Sequence, residues 1–202
     1  IGVRLVGSEM CIRDSPYGKN KLIVEGLLSD LCCHDNQWKA TSLRYFNPIG
    51  AHPSGLLGEN SSKKLSNIMP HVLNVALKKT SHLDIYGNDF DTKDGTGIRD
   101  YIHIMDLVDG HIAALTNLQE QCGYNVFNLG TGRGVSVLEL IKVFKEVTNQ
   151  DIPYQFTTKR TGDVSSSYAD PSKAFSKLGW KSKKGLVEMC EDSFRWACNE
   201  KN

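Results

Sequence analysis

The sequence has no apolar run long enough for a membrane span, and no basic-then-apolar leader opens it. Charge of one sign is not in excess: 24 Lys and Arg offset 23 Asp and Glu, for a net charge of +1. Neither nucleic acid nor an anionic membrane would be recruited by so weak a field, so any anionic ligand must be held by a few placed groups. Paired metal or redox motifs are missing as well. Cys11, Cys32, Cys33, Cys122, Cys190 and Cys198 form no C-x-x-C, and the six histidines show no H-x-x-x-H. Free thiols in a reducing cytoplasm are the expectation, with no metal site. His103 and His111 lie near Asp106 and Asp109, where placement around a helix start is the expected role. A dinucleotide fingerprint is absent too: Gly130, Gly132 and Gly134 give G-x-G-x-G, and Val135 stands where G-x-G-x-x-G needs glycine. Those glycines read as close-packing and helix-entry residues. No internal repeat or low-complexity tract is present.

What is present is an ordinary globular mix of 202 residues, 40% hydrophobic and 23% charged, long enough to bury a sizeable core. Ser15-Pro16 caps and opens a helix whose apolar residues recur at helical spacing through Cys32. Residues 40–46 read as a strand broken by Asn47-Pro48, and a Gly- and Pro-containing loop follows to about residue 62. Helices are expected over 68–78, from 105 onward, and over 137–147, 172–178 and 186–199. Strands are expected over 83–86, 100–104, 124–129 and 152–156, and 159–167 as a polar loop. Strands alternating with helices predict an α/β fold with mostly parallel pairing.

Tyr17 and Lys21 stand four apart in the first helix, which puts both on one face. A free phenol titrates near pH ~10, too high for a base at neutral pH. A neighbouring ammonium favours the phenolate, so the pair can make a base that takes a proton from a hydroxyl.

The segments SPYGKNKLIVE, RYFNPIGAHPSG, SNIMP, DIYGNDFDTKDGTGIRDYIHIMDLVDGH, YNVFNLGTGRGVSVLEL and KRTGDVSSSYAD follow in order from Ser15 onward. Together they resemble the extended short-chain dehydrogenase/reductase family, and within it the UDP-galactose (UDP-glucose) 4-epimerases. Residues 1–14 show no such resemblance and read as a foreign or disordered leader. The resemblance implies a partial Rossmann-like fold without its N-terminal strands, joined to a small α/β substrate-binding subdomain. Residues 15–50 would be a remnant of the NAD-binding domain, and 51–202 mainly the UDP-sugar region, with about 98–130 packing back on the NAD domain.

The resemblance also assigns roles. Tyr17 matches the catalytic base, and Lys21 its partner and a holder of the nicotinamide ribose. Tyr45, Phe46 and Pro48 match positions near the nicotinamide. Asn47 matches a contact near the sugar and phosphates, and Asn67, with Ile68 beside it, a phosphate contact. Ile85 and Tyr86 match the strand that lies against the uracil. Arg99 and Arg160 match the arginines that clamp the diphosphate, as guanidinium forks suit phosphate oxygens. Asp163 matches the acceptor for the uridine ribose. Ser167 matches a wall beside the sugar, and its small size predicts tolerance of UDP-N-acetylhexosamines.

The implied reaction is a redox cycle at the sugar C4, through a 4-keto intermediate, with NAD as a cofactor that is not consumed. The implied substrates are UDP-galactose and UDP-glucose, in a homodimer. The family's pyrophosphate-binding glycine loop, its ribose-reading acid and the Ser or Thr partner of the tyrosine do not precede Tyr17. The chain alone is therefore expected to be a C-terminal portion that binds NAD weakly, turns over little and leaves one sheet flank unsatisfied. Two other functions fit the same residues: a non-catalytic UDP-sugar-binding remnant, and another nucleotide-sugar epimerase or dehydratase of the family.

Overall fold

A computed structural model describes residues 16–59, 67–118, 120 and 123–200, with the side chains of Pro16 and Tyr17 outside the description. The leader read over 1–14 lies outside it too. The chain enters on α1 (Pro16–His34), then β1 (Ala40–Tyr45) and β2 (Asn47–Ile49). It continues through α2 (Ile68–Ala76), β3 (Leu83–Tyr86), β4 (Ile98–Arg99), β5 (Tyr101–His103) and α3 (Ile104–Asn117). Then come β6 (Tyr124–Leu129), β7 (Val135–Ser136), α4 (Val137–Thr148), β8 (Tyr154–Thr157), β9 (Ser166–Ser167), α5 (Ser172–Leu178) and α6 (Leu186–Asn199).

Pairing is mostly parallel, as the alternation of strands and helices requires. β1 pairs with β6, β2 with β5, and β3 with β8, all parallel. β4 joins a three-stranded ribbon, parallel to β9 and antiparallel to β7. The strand that precedes Asn47-Pro48 ends at Tyr45, as expected. The chain leaves the β1–β6 pair there and resumes at once beside β5, with Asn47 opposite Tyr101. Proline lacks an N–H, and at Pro48 it sits in an edge strand where the loss is tolerated.

Two apolar cores result. One gathers α2, β3, α4 and α6 around Val72, Leu140, Phe144 and Met189. The other lies between β6, α3 and α5 around Ile102, Phe127, Leu129 and Trp180. The β5 strand belongs to both, since Tyr101 packs into the first and Ile102 into the second. Successive strand residues point to opposite faces, so one three-residue strand serves two layers. α5 and Trp180 pack onto β6 although they lie late in the chain.

Two buried carboxylates fix these layers. Asp100, at the kink between β4 and β5, is fully buried. Its carboxylate accepts from Thr131 N at 2.9 Å, Thr131 Oγ1 at 2.6 Å, Gly132 N at 2.9 Å and Ala169 N at 3.1 Å. A Cβ on Gly130 would stand 2.6 Å from an Asp100 oxygen and 2.5 Å from Ala169 Cβ, so this glycine is required by close approach. Gly134 is required in the same way, 2.5 Å from Ile98 Cγ2. The second carboxylate, Asp192, meets His103. His103 caps α3, as its place near a helix start suggested: Nδ1 accepts from Met105 N at 3.0 Å. That leaves the proton on Nε2, 3.1 Å from Asp192 Oδ2. Burial lowers the His103 pKa against the opposing pull of Asp192.

α1 departs from the expected packing. Its apolar residues recur at helical spacing, but Leu22, Ile23, Val24 and Leu27 are exposed and Cys32 is buried. The helix is tied to β1 by Glu25 and Arg44, which share a bidentate ion pair. Cys32, Cys33, Cys190 and Cys198 are free thiols. Among the described residues no helix is long and apolar enough to cross a membrane.

Candidate functional site

A cavity of about 290 Å³ opens between α2, β3, β4 and the loop before β9. Its wall brings together Asn47, Asn67, Ile68, Ile85, Tyr86, Arg99, Arg160 and Asp163. These come from five separate stretches of a chain in which Asn47 and Asp163 are far apart, so their convergence is a property of the fold. Ser167 is not among the lining residues. It sits half-buried on β9 with its backbone opposite Arg99.

Local structure explains how each group is aimed. Asn47 opens β2, and its N–H donates to Asp100 O at 2.9 Å, which fixes the strand beside β5. Asn67 occupies the cap position of α2, yet its side chain makes no capping hydrogen bond. An Asn there ordinarily accepts from the first turn. Here Asn67 lines the cavity. Ile85 is buried beneath the strand, and Tyr86 is exposed on the other face, in keeping with the alternation of β3.

Arg99 is the most constrained cation. Nη1 donates to Ile98 O at 2.8 Å and to Val164 O at 2.9 Å, and Nη2 donates to Asp163 Oδ1 at 2.8 Å. Gly97 makes room for this arrangement: a Cβ there would lie 3.3 Å from Nη1. Arg160 lies over the ring of Tyr86, 3.8 Å from its centroid. The neighbouring Lys159 binds Asp89 Oδ1 at 3.0 Å and lies over Phe90 at 4.4 Å. Tyr101, at the back of the cavity, is almost fully buried, and desolvation pushes its phenol well above the usual value despite nearby Arg99. It remains a neutral wall.

The rim was only partly legible in the sequence. His71, one turn along α2 from Asn67, also lines the cavity, with Thr80, His82, Asp84, Phe90 and Val137. His71 shares a face with Asn67 by its i+4 spacing, a signal that the sequence reading passed over. The loop that carries Phe90 and Gly97 is braced by Asp94. Asp94 accepts from Thr96 N at 2.9 Å, from Thr96 Oγ1 at 2.7 Å and from the Ser136 hydroxyl. Burial works to raise its pKa, but the hydrogen bonds from Ser136 and Thr96 prevail and hold it below the usual value. Ser136 in turn caps α4 by accepting from Glu139 N at 3.0 Å.

The remaining candidates lie apart from this cavity. Tyr45 ends β1 at its carboxyl end, exposed, with its hydroxyl 2.9 Å from His111 Nε2. Phe46 follows, half-buried, and Pro48 lies in β2. Tyr45 and Phe46 thus stand at the carboxyl end of β1, where ligands of parallel α/β sheets collect. Lys21 is exposed on α1. The Tyr17 side chain, the assigned base, lies outside the described residues.

A family model described as GDP-mannose 4,6 dehydratase matches residues 10–193. The chain belongs to that family. The match begins at residue 10, so it takes in part of the stretch over 1–14 that carries no recognisable motif. Within the family the chain is similar to the UDP-glucose 4-epimerase of Bacillus subtilis, 50% identical over 188 residues, which cover 93% of this chain and 56% of the relative. A solved UDP-glucose 4-epimerase from Stenotrophomonas maltophila, with bound NAD and formylated UDP-arabinopyranose, is 43% identical with a TM-score of 0.89. It is matched over 93% of this chain and 56% of its own. That from Bifidobacterium longum, in complex with NAD+ and UDP, is 44% identical with a TM-score of 0.88, over 93% and 56% of the two chains. The chain thus spans about half the length of the relatives it matches, and the α/β, Rossmann-like fold is shared with them.

Proposed function

We propose that this chain supplies the UDP-sugar half of an NAD-dependent UDP-sugar 4-epimerase, which interconverts UDP-galactose and UDP-glucose when the protein has the length of its relatives. The observation that carries the reading is the single cavity that gathers Asn47, Asn67, Ile68, Ile85, Tyr86, Arg99, Arg160 and Asp163. In this reading the uracil lies along Ile85 and Tyr86, where strand backbone supplies hydrogen bonds. Arg99 and Arg160 take the diphosphate, and Asn67, with no capping duty, reaches the phosphates. Asn47 contacts the substrate nearer the sugar.

Tyr17, with Lys21 one turn away on α1, takes the proton from the C4 hydroxyl and returns it. NAD supplies the acceptance and return of hydride at C4. Lys21, Tyr45, Phe46 and Pro48 would hold its nicotinamide end. The UDP anchor is the same for both sugars, so the flat 4-keto sugar can turn within the site and be reduced from either face. Ser167, small and paired through its backbone with Arg99, is the residue on which tolerance of UDP-N-acetylhexosamines would rest. The protein would work in the cytoplasm as a homodimer.

The test is conversion of UDP-galactose to UDP-glucose by a protein of the relatives' length that contains these residues, with UDP-N-acetylgalactosamine alongside. Turnover that falls below detection in Tyr17→Phe supports the reading, and unchanged turnover defeats it. The family model's description favours one other outcome, nucleotide-sugar dehydration, which the same assay reveals as a dehydrated 4-keto product in place of the C4 epimer.

A further inference from the structure

The guanidinium of Arg99 meets the cavity with an anion already on it. Asp163 holds Nη2 at 2.8 Å, and the pair is only partly exposed, with side chains at 20% and 32%. Nη1 is committed to the carbonyls of Ile98 and Val164. The Nη2 edge is the part of the fork that faces a ligand, so a diphosphate drawn to it meets the Asp163 carboxylate already there, and the two anions compete for Arg99. The segment that carries Asp163 is suited to such an exchange. Residues 158–163 are exposed and cross the cavity mouth on polar contacts: Lys159 on Asp89 and Phe90, Arg160 on Tyr86, and Asp163 on Arg99. Gly162, at φ +82, closes the turn between Arg160 and Asp163, with nothing near its missing Cβ.

We infer that Asp163 is a specificity-determining counter-anion, which occupies the diphosphate position on Arg99 and yields it only to a ligand that gives its carboxylate a new partner. This rests on the reading of the cavity as a nucleoside diphosphate site. A bare diphosphate breaks the ion pair and leaves the carboxylate facing like charge. A nucleoside diphosphate breaks the same pair but offers ribose hydroxyls, which donate to the released carboxylate. The exchange so discriminates against inorganic phosphates, which lack the sugar.

The test is the sign of one substitution on two probes, with binding measured by calorimetry on the full chain. Asp163→Asn is expected to tighten inorganic pyrophosphate by about two- to five-fold, the size of a partly exposed ion pair, and to weaken UDP. Asp84→Asn removes the same charge from the wall of the same cavity and is expected to give no comparable opposition of sign. An Asp163 that only binds ribose would leave pyrophosphate unchanged in Asp163→Asn. One that acts only as diffuse negative charge would tighten both probes. Either result overturns the inference. If the unmodified chain binds neither probe, the reading of the cavity falls and this inference with it. UDP binding that persists without the opposed signs overturns the inference alone.

Discussion

Arg99 and Asn67 show how a side chain is freed for a ligand by what the backbone around it does. Asn67 stands where a cap belongs and does not cap. Arg99 is held in plane by two carbonyls, which leaves one amino group directed at an anion. A lysine keeps the charge but loses the fork. Arg99→Lys is therefore expected to cost about 1.5–3 kcal/mol of UDP binding, or roughly ten- to a hundred-fold in Kd, by calorimetry. His103 gives a prediction of another kind. Its folded pKa is lowered by burial, so the unfolded chain binds its proton more readily. Its contribution is present above the unfolded value near ~6.5 and is lost as pH falls below it. Urea midpoints should drop between pH 7.5 and 5.5, and His103→Gln should flatten that part of the profile. A drop of the same size in the variant would show that another group titrates there.

At the scale of elements, the loops that turn the chain into the cavity hang on few atoms. Asp100 joins the β4–β5 kink, the loop after β6 and the segment before α5 through four hydrogen bonds. Asp100→Asn turns an acceptor into a donor that faces these donors, and a loss of about 1–3 kcal/mol is expected in denaturant unfolding. Gly134→Ala should cost a similar ~1–3 kcal/mol, because the added Cβ would lie 2.5 Å from Ile98 Cγ2 and 3.3 Å from Tyr168 Cδ1. Gly134 reads in the sequence as a close-packing glycine, which the structure bears out, whereas Asp100 is there only one acid in a polar motif. Most helices and the longer strands were legible there, since periodicity and turn residues mark them. The two-residue strands β4, β7 and β9 were not, because they exist only through each other's backbone. The strand break expected at Asn47-Pro48 is a change of sheet, which local propensity cannot encode. The residues read as contacts of the UDP moiety converge on one cavity, while Ser167, Lys21, Tyr45, Phe46 and Pro48 are not among its lining residues. Asp94 is not legible because its tie to Ser136 spans a long stretch of sequence, whereas His71 carries a local signal in its i+4 spacing from Asn67.

At the scale of the molecule, two cores sit on either side of β5. Among the described residues, Ile23 and Leu27 on α1 and Ile112 and Leu115 on α3 are each more than half exposed. Large apolar side chains exposed in this way mark surface suited to burial. The chain on its own should take up a hydrophobic dye under native conditions, and Leu27→Lys with Leu115→Lys should reduce the fluorescence severalfold. Unchanged uptake would place the dye elsewhere. The central claim is that the cavity between α2, β3 and β4 holds the diphosphate and base of a UDP-sugar. The most direct test is calorimetric titration of the chain with UDP, and with ADP for comparison. The account predicts saturable one-to-one binding of UDP, much weaker binding of ADP, and loss of UDP binding in Arg99→Ala with Arg160→Ala. UDP that fails to bind, or that binds the double variant as well as the original chain, would contradict it.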